Sequence, residues 1–456
     1  MTPRRITRSS LLIALLLPGL TLAALNDTGI TQCANDKQNN LTCPQVGFPS
    51  QDAEVGRDAQ QTAGTLTKVG GGSAGFDFTK LDSGGNPLPA SAPAWDCVRD
   101  NVTGLIWEIK TDDNGLRDQD WTYTWYNSDP ATNGGNAGVQ GSDTCGGTLP
   151  GNQCNTQAYV VAVNALSPAL CGYADWRMPT VDELHNIVDH SGSNPAIGAA
   201  YFPRTVSDWY WSASPYAPVA GDAWYVRFDN GFDNFQDKGN AKYVRLVRGG
   251  PSLALETTPT SDFITLDDVN GTAYHQKTGL TWKRCAEGQS WDSVNKTCTG
   301  TAASHRWSAA LSLVGGGWRL PNINELRSII ERRNWNPAIN TTVFPSAPGA
   351  FFWSASPCFW SAAPCVPNAG YVWDVGFYYG NDFAHDAGNN YAVRLVRDGQ
   401  GLAGDVNGDG AVNALDVVAV INQFLGLQTW PRADVNNDGA VNALDVVFVI
   451  NKVLGL

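Results

Sequence analysis

Two stretches near the end of the chain carry the densest set of oxygen ligands. "DVNGDGAVNALD" occupies residues 405–416, and "DVNNDGAVNALD" occupies residues 434–445. A calcium loop takes side-chain oxygens from its positions 1, 3, 5, 9 and 12 and a carbonyl from position 7, with glycine at position 6 for the turn. In the first stretch these positions are Asp405, Asn407, Asp409, Asn413 and Asp416, with Ala411 as the carbonyl donor and Gly410 at the turn. In the second they are Asp434, Asn436, Asp438, Asn442 and Asp445, with Ala440 and Gly439. The expected cofactor is Ca2+, one ion in each loop. Six Asp stand against Arg432 and Lys452 between 405 and 456, so two divalent cations would neutralise the segment. Without them a short chain of clustered carboxylates folds poorly, because binding supplies folding energy.

Elsewhere the residue types that do chemistry are sparse. His185, His190, His275, His305 and His385 form no H-E-x-x-H pattern, and His185 and His190, five apart on or after a helix, are expected at the surface or at a helix end. No G-x-S-x-G occurs. Glu183 and Glu325 recur at equivalent places, as a catalytic carboxylate would, but each also sits where a helix-capping box needs it. Arg177, Arg319, Arg245, Arg248, Arg394 and Arg397 recur too; they brace the fold against acids or read an anionic glycan, and bracing is favoured. Aromatic faces stack on sugars, so Phe359 and Trp360, between Cys358 and Cys365, and Tyr378 and Tyr379 are the ligand-binding candidates. Trp107, Trp176, Trp211, Trp282, Trp318 and Trp353 are expected in the core. No catalytic residue is assigned.

The elements that must hold these groups come in duplicate. "TGLIW" (103–107) returns as "TGLTW" (278–282), "WRMPTVDELHNIVD" (176–189) as "WRLPNINELRSIIE" (318–331), and "NPAIGAAYFP" (194–203) as "NPAINTTVFP" (336–345). "WSASP" occurs at 211–215 and 353–357, and "YVRLVR" (243–248) is echoed by "AVRLVR" (392–397). Five blocks in one order define two homologous domains, 76–250 and 262–398, with 251–261 as linker. Thr180 with Glu183 and Asn322 with Glu325 predict a helix of about ten residues after each WR-x-P block. Further helices are expected at 159–166 and 307–313. "AWYVRFDNG" (223–231) and "YVWDVGFYYG" (371–380) alternate as strands, and Gly231 and Gly380 suit turns toward the closing VRLVR strand. The fold class is α+β, loop-rich and disulfide-bonded, followed by a small all-α calcium module.

Ten cysteines in an exported chain point to disulfides. Spacing suggests Cys33–Cys43, Cys145–Cys154, Cys285–Cys298 and Cys358–Cys365. Cys97 and Cys171 align with Thr272 and Leu313, so the second copy lacks both; joint loss is what a bonded pair shows. Residues 25–75 read as an irregular N-terminal segment with no assigned role.

The ordered blocks TGL-x-W, WR-[ML]-P, WSAS and VRLVR resemble the Lcl C-terminal domain family, and more distantly the C-type-lectin-like fold. That resemblance implies extracellular recognition, with glycans among the ligands, and no reaction. The duplicated loop followed by an apolar helix, with Asp at position 12, resembles a type I dockerin, over 405–456. It implies a cohesin domain or surface scaffold as partner, with specificity at Ala414, Leu415, Ala443 and Leu444.

Arg4, Arg5 and Arg8 precede the apolar run 11–20, and Thr21-Leu22-Ala23 places small residues at the spacing for cleavage after Ala23 or Ala24, which reads as a secretory signal peptide over 1–24. Ten apolar residues are too few to span a bilayer, which takes about 20. The net charge of -13 argues against nucleic acid as partner. The expected function is a secreted, non-catalytic binding or adhesion protein whose repeats recognise an extracellular carbohydrate and whose dockerin attaches it to a scaffold. The alternative is an enzyme or accessory subunit of polysaccharide breakdown with O-glycosyl hydrolase activity.

Overall fold

A computed structural model describes residues 25–249, 258–268, 270–315, 317–359, 365, 370–399, 406, 412–427, 433, 435 and 441–454. Before the first repeat, the N-terminal segment carries one short helix, α1 (Gly56–Thr62). The first repeat contains β1 (Phe78–Leu81), β2 (Cys97–Asp100), β3 (Ile106–Glu108), α2 (Thr156–Asn164), α3 (Val181–His185), β4 (Trp209–Pro215), β5 (Asp222–Arg227), β6 (Asp233–Asp237) and β7 (Val247–Arg248). The second contains β8 (Phe263–Asp267), β9 (Thr272–His275), β10 (Leu280–Lys283), β11 (Ser290–Asp292), β12 (Thr297–Thr299), β13 (Ser304–His305), α4 (Trp307–Leu311), α5 (Ile323–Arg327), β14 (Phe351–Pro357), β15 (Tyr371–Gly376), β16 (Asn381–Asp386), β17 (Tyr391–Ala392) and β18 (Val396–Asp398). Two helices, α6 (Ala414–Phe424) and α7 (Ala443–Leu454), end the chain.

Each repeat builds two small sheets, antiparallel except where β17 joins β14 in parallel, and the second adds the separate β11–β12 hairpin. The TGL-x-W strand is central in one, flanked by the preceding strand and by the closing VRLVR strand: β1-β2-β3-β7 and β18-β10-β9-β8. The WSASP strand opens the other, β4-β5-β6 and β14-β15-β16, with β13 and β17 added in the second repeat. The sequence expectation is corrected here. Gly231 and Gly380 (φ +78° and +88°, positions that favour glycine) turn the chain into β6 and β16, not into the closing strand, which pairs elsewhere. The alternation on β5 also misleads. Trp224 and Val226 face one core, while Ala223 and Tyr225 face the other, so both sides of the strand are buried.

The predicted ten-residue helices are five residues long, α3 and α5. Both capping boxes form, but the α-helical hydrogen bonding stops after one turn and a half. The chain continues instead in single turns, Ile187 N–H to Leu184 O (3.2 Å) and Val188 N–H to His185 O (3.0 Å). Part of the expected linker belongs to the second repeat, since Thr258 donates to Glu331 Oε2 (2.9 Å). The five disulfides pair Cys33–Cys43, Cys97–Cys171, Cys145–Cys154, Cys285–Cys298 and Cys358–Cys365.

The repeats meet through equivalent residues. Asp233 and Asp382 occupy matching positions, two residues past Gly231 and two past Gly380. Asp233 N–H donates to Asp382 Oδ1 (2.9 Å), and Asp382 N–H donates to Asp233 Oδ1 (3.0 Å). This is an isologous contact inside one chain. Around it, Arg327 binds Asp382 and its Nη1 lies 3.0 Å from His190 Nε2, while Arg332 reaches Asp233 Oδ2 (3.2 Å) and Asp182 Oδ1 (2.9 Å). His185 Nε2 is 3.4 Å from Asp233 Oδ2. His185 and His190 are thus buried at the interface, not at the surface. Burial, and then Arg327, hold both imidazoles well below their ordinary pKa, and burial pushes the Asp382 carboxyl up to about 7 against the pull of Arg327.

Removing one partner of a buried ion pair strands the other and costs about 3–5 kcal/mol. Asp382→Ala is expected to lose stability of that order in chemical denaturation; a loss below about 1 kcal/mol contradicts the role given to the pair.

A second expectation concerns pH. Burial holds His275, packed on Phe263, down at about 3, against an ordinary value of 6.5. Between those values the unfolded chain binds a proton there that the folded chain does not, so stability falls as pH drops below 6.5. His275→Gln is expected to flatten the dependence of stability on pH between 6 and 4 by up to about 1.4 kcal/mol per pH unit. Denaturation of both proteins at several pH values checks it.

Candidate functional sites

The C-terminal module shows why position 12 of each loop is Asp. Asp416 Oδ2 accepts from Asn413 N–H (2.8 Å), and its Oδ1 accepts from Val406 N–H (2.8 Å), at positions 9 and 2 of the same loop. Asp445 does the same with Asn442 N–H (2.8 Å) and Val435 N–H (2.9 Å). Each carboxylate is fully buried and ties the loop entrance to the helix that leaves it. Asn413 also caps α6 through Leu415 N–H, and Asn442 Oδ1 accepts from Leu444 N–H, 2.8 Å in both. Two buried carboxylates at matching loop exits are a donor set suited to a hard dication. The other expected ligands, Asp405, Asn407, Asp409, Ala411, Asp434, Asn436, Asp438 and Ala440, lie outside the described residues.

The helices pack on each other through Ala419, Val420 and Val449, with Val406 and Ala433. Their other faces are apolar and exposed: Leu415, Val418 and Ile421 on α6 with Leu425 just after it, and Leu444, Val447, Ile450 and Leu454 on α7. Ala414 and Ala443 sit beside them, also exposed. The two helices therefore present nearly the same exposed apolar stripe twice.

The second site lies in the second repeat. A cleft of about 410 Å³ is lined by Thr272, Lys283, Gln289, Trp291, Trp318 and Arg397, with Asn270 and Gly271 at its margin. Trp318 and Trp291 are half-buried. Arg397 stacks 4.7 Å from the Trp318 ring and Lys283 lies 5.5 Å from it, while Lys283 Nζ is 3.7 Å from Glu287. Trp291 stands on the β11–β12 hairpin, which Cys285–Cys298 closes. Its indole N–H donates to Asp268 O (2.9 Å) and Arg284 stacks on its face at 4.2 Å.

The first repeat fills the same place. Thr272 stands where the first copy has Cys97, and Leu313 where it has Cys171, so that copy is closed by a disulfide. Gly315 and Gly317 stand where it has Tyr173 and Asp175. There Arg248, the counterpart of Arg397, stacks on Tyr173 at 3.7 Å and is gripped by Asp175 at 2.8 and 2.9 Å. Trp176 is buried as a result, whereas Trp318 keeps an open face. Sequence reasoning put Trp318 in the core and missed this cleft. The signal was the glycine run facing Tyr173-Ala174-Asp175, together with the two absent cysteines.

The residues expected to bind ligand are placed otherwise. Phe359 packs against Ile30, Cys33 and Ala53 of the N-terminal segment and is not an exposed platform. Trp360 lies outside the described residues. Tyr378 and Tyr379 are each 39% exposed at the β15–β16 turn, with Tyr379 6.2 Å from Tyr216 of the first repeat. Trp107, Trp176, Trp211, Trp282 and Trp353 are core. The recurring arginines brace the fold: Arg177 grips Glu183 at 2.7 and 2.6 Å, Arg319 grips Glu325 at 2.6 and 2.7 Å, and buried Arg245 and Arg394 bond backbone carbonyls.

The profile of the Lcl C-terminal domain matches residues 96–248 and 271–397, more than half of the chain, and that of the dockerin type I domain matches residues 403–454. The chain belongs to the Lcl C-terminal domain family, as a tandem pair followed by a dockerin. No curated protein and no solved structure matches it. A dockerin implies calcium as its ion and a cohesin as its partner, and proteins that carry one are typically extracellular or at the cell surface. Among the described residues no helix is long and apolar enough to cross a membrane.

Chelation of calcium is expected to melt α6 and α7, read as ellipticity at 222 nm that returns with added Ca2+. Asp416→Ala with Asp445→Ala should abolish that return; helices indifferent to chelator would contradict the assignment.

Proposed function

We propose that the protein is an exported, non-catalytic recognition protein, its second repeat binding a carbohydrate in the Trp291–Trp318 cleft and its dockerin fixing it to a cohesin-bearing scaffold. The observation that carries the reading is the pair of indoles in one cleft with Lys283, Arg397, Thr272 and Gln289 beside them. Aromatic faces take the apolar face of a sugar ring, and polar side chains fix its orientation. Two cationic groups at the rim favour a sugar bearing carboxylate or sulfate.

The first repeat, sealed by its disulfide and by Tyr173, serves as the rigid support of the second. We read the paired repeats as a lectin-like scaffold of the C-type kind. Glu183 and Glu325, the recurring carboxylates, are engaged by arginines and helix caps. That supports recognition without turnover. The module at the end is read as holding two calcium ions, and residues 1–24 as the export signal.

Calorimetric titration of the full chain with acidic polysaccharides tests the site. Trp318→Ala is expected to weaken binding at least tenfold with the fold intact, because its ring borders open space. Unchanged affinity in Trp318→Ala and in Trp291→Ala would overturn the assignment.

A further inference from the structure

The N-terminal segment, which suggests no function as sequence, crosses the crease between the repeats. Asn26 Nδ2 donates to Asp100 Oδ2 (2.6 Å) and to Asn186 O (2.8 Å) in the first repeat, and Asn324 Nδ2 of the second donates to Asn26 O (3.1 Å). His190 N–H donates to Thr28 O (2.8 Å).

At this crossing Asp27, Asp52 and Asp58 converge. They are 6%, 2% and 0% exposed, and one oxygen of each lies within 4.8 Å of the other two. No lysine or arginine pairs with them among the described residues; Arg57, next to Asp58 in sequence, turns away to Gly75 O (2.9 Å) and to Asp77 (3.9 Å). Asp27 accepts from Thr28 N–H, Asp58 N–H and Asn322 Nδ2, and Asp58 accepts from Gly29 N–H, Gly75 N–H and Thr28 Oγ1. Asp52 Oδ2 accepts from Thr28 Oγ1 (2.8 Å) and from Ser356 Oγ of the second repeat (2.6 Å). Its other oxygen, Oδ1, is sealed from solvent and takes no hydrogen bond. A buried carboxylate oxygen left without a donor is costly, and a cation is the partner that three converging carboxylates lack.

We propose that Asp27, Asp52 and Asp58 form a calcium site, apart from the dockerin loops, that staples the N-terminal segment to both repeats. All the donors are oxygens, three of them carboxylates, with the hydroxyls of Thr28 and Ser356 alongside. That hard, crowded set suits calcium better than magnesium, which keeps several waters. Burial, and after it repulsion from Asp27, pushes Asp58 up to about 8.

The test uses the full chain with the dockerin loops disabled by Asp405→Ala and Asp434→Ala, and calcium alone as probe. Equilibrium dialysis with elemental analysis should find one calcium per chain in this background. It should find none when Asp52→Asn, or Asp58→Asn if the first does not fold, is added. Calcium should also raise the unfolding temperature of the background and leave that of the asparagine variant unmoved. No bound calcium in the background overturns the proposal. So does a bound ion that survives both asparagine substitutions, which would place it elsewhere. Asparagine variants that fold and are as stable as the background with calcium would mean that the three carboxyls simply share protons.

Discussion

The structure depends on the reciprocal bond between Asp233 and Asp382. Two β-strands from duplicated domains, β6 and β16, meet there, and each aspartate accepts the backbone N–H of the other. Two buried carboxylates so close repel in a low dielectric unless cations lie beside them. Arg327 and Arg332, both from the second repeat, supply that charge. The first repeat has His185 and His190 at the equivalent positions, and burial keeps both neutral. The division is physically sensible: four arginines around two aspartates would leave an uncompensated charge in the core. Duplication supplied the symmetric backbone contact, and divergence made it electrostatically tolerable.

That rigid pairing explains how the copies specialised. The first kept Cys97–Cys171 and the Tyr173–Arg248–Asp175 stack, which close its face. The second has Thr272, Leu313, Gly315 and Gly317 in place of the two cysteines, Tyr173 and Asp175, retains the arginine as Arg397, and has the Trp291 hairpin, which leaves a cleft between two indoles. Each copy carries two disulfides, placed differently: Cys97–Cys171 and Cys145–Cys154 in the first, Cys285–Cys298 and Cys358–Cys365 in the second. The final module is tuned for attachment: buried Asp416 and Asp445 close the loops, and matching apolar stripes on α6 and α7 face outward.

Much of this was legible in the sequence. The duplication, the α+β class, the capping boxes at Thr180 and Asn322 and the pairing of all ten cysteines follow from local pattern and from comparing one copy with the other. What failed depended on tertiary placement. His185 does end α3, but that it and His190 are buried at the interface emerges only when Arg327 and Arg332 are seen at their equivalent positions. Trp318 shares its block with buried Trp176, and only the loss of bulk at Gly315 and Gly317 opens it. Phe359 resembled an exposed loop aromatic because nothing in its own neighbourhood announces that Ile30 and Ala53 will cover it.

The measurement that bears most directly on recognition without catalysis is incubation of the mature chain, in millimolar calcium, with a panel of neutral and acidic polysaccharides, scoring retention and release of reducing ends together. Retention on an acidic polysaccharide with no release is the predicted result. Release of reducing ends that persists through repurification would make the protein a hydrolase and contradict the role assigned to the cleft.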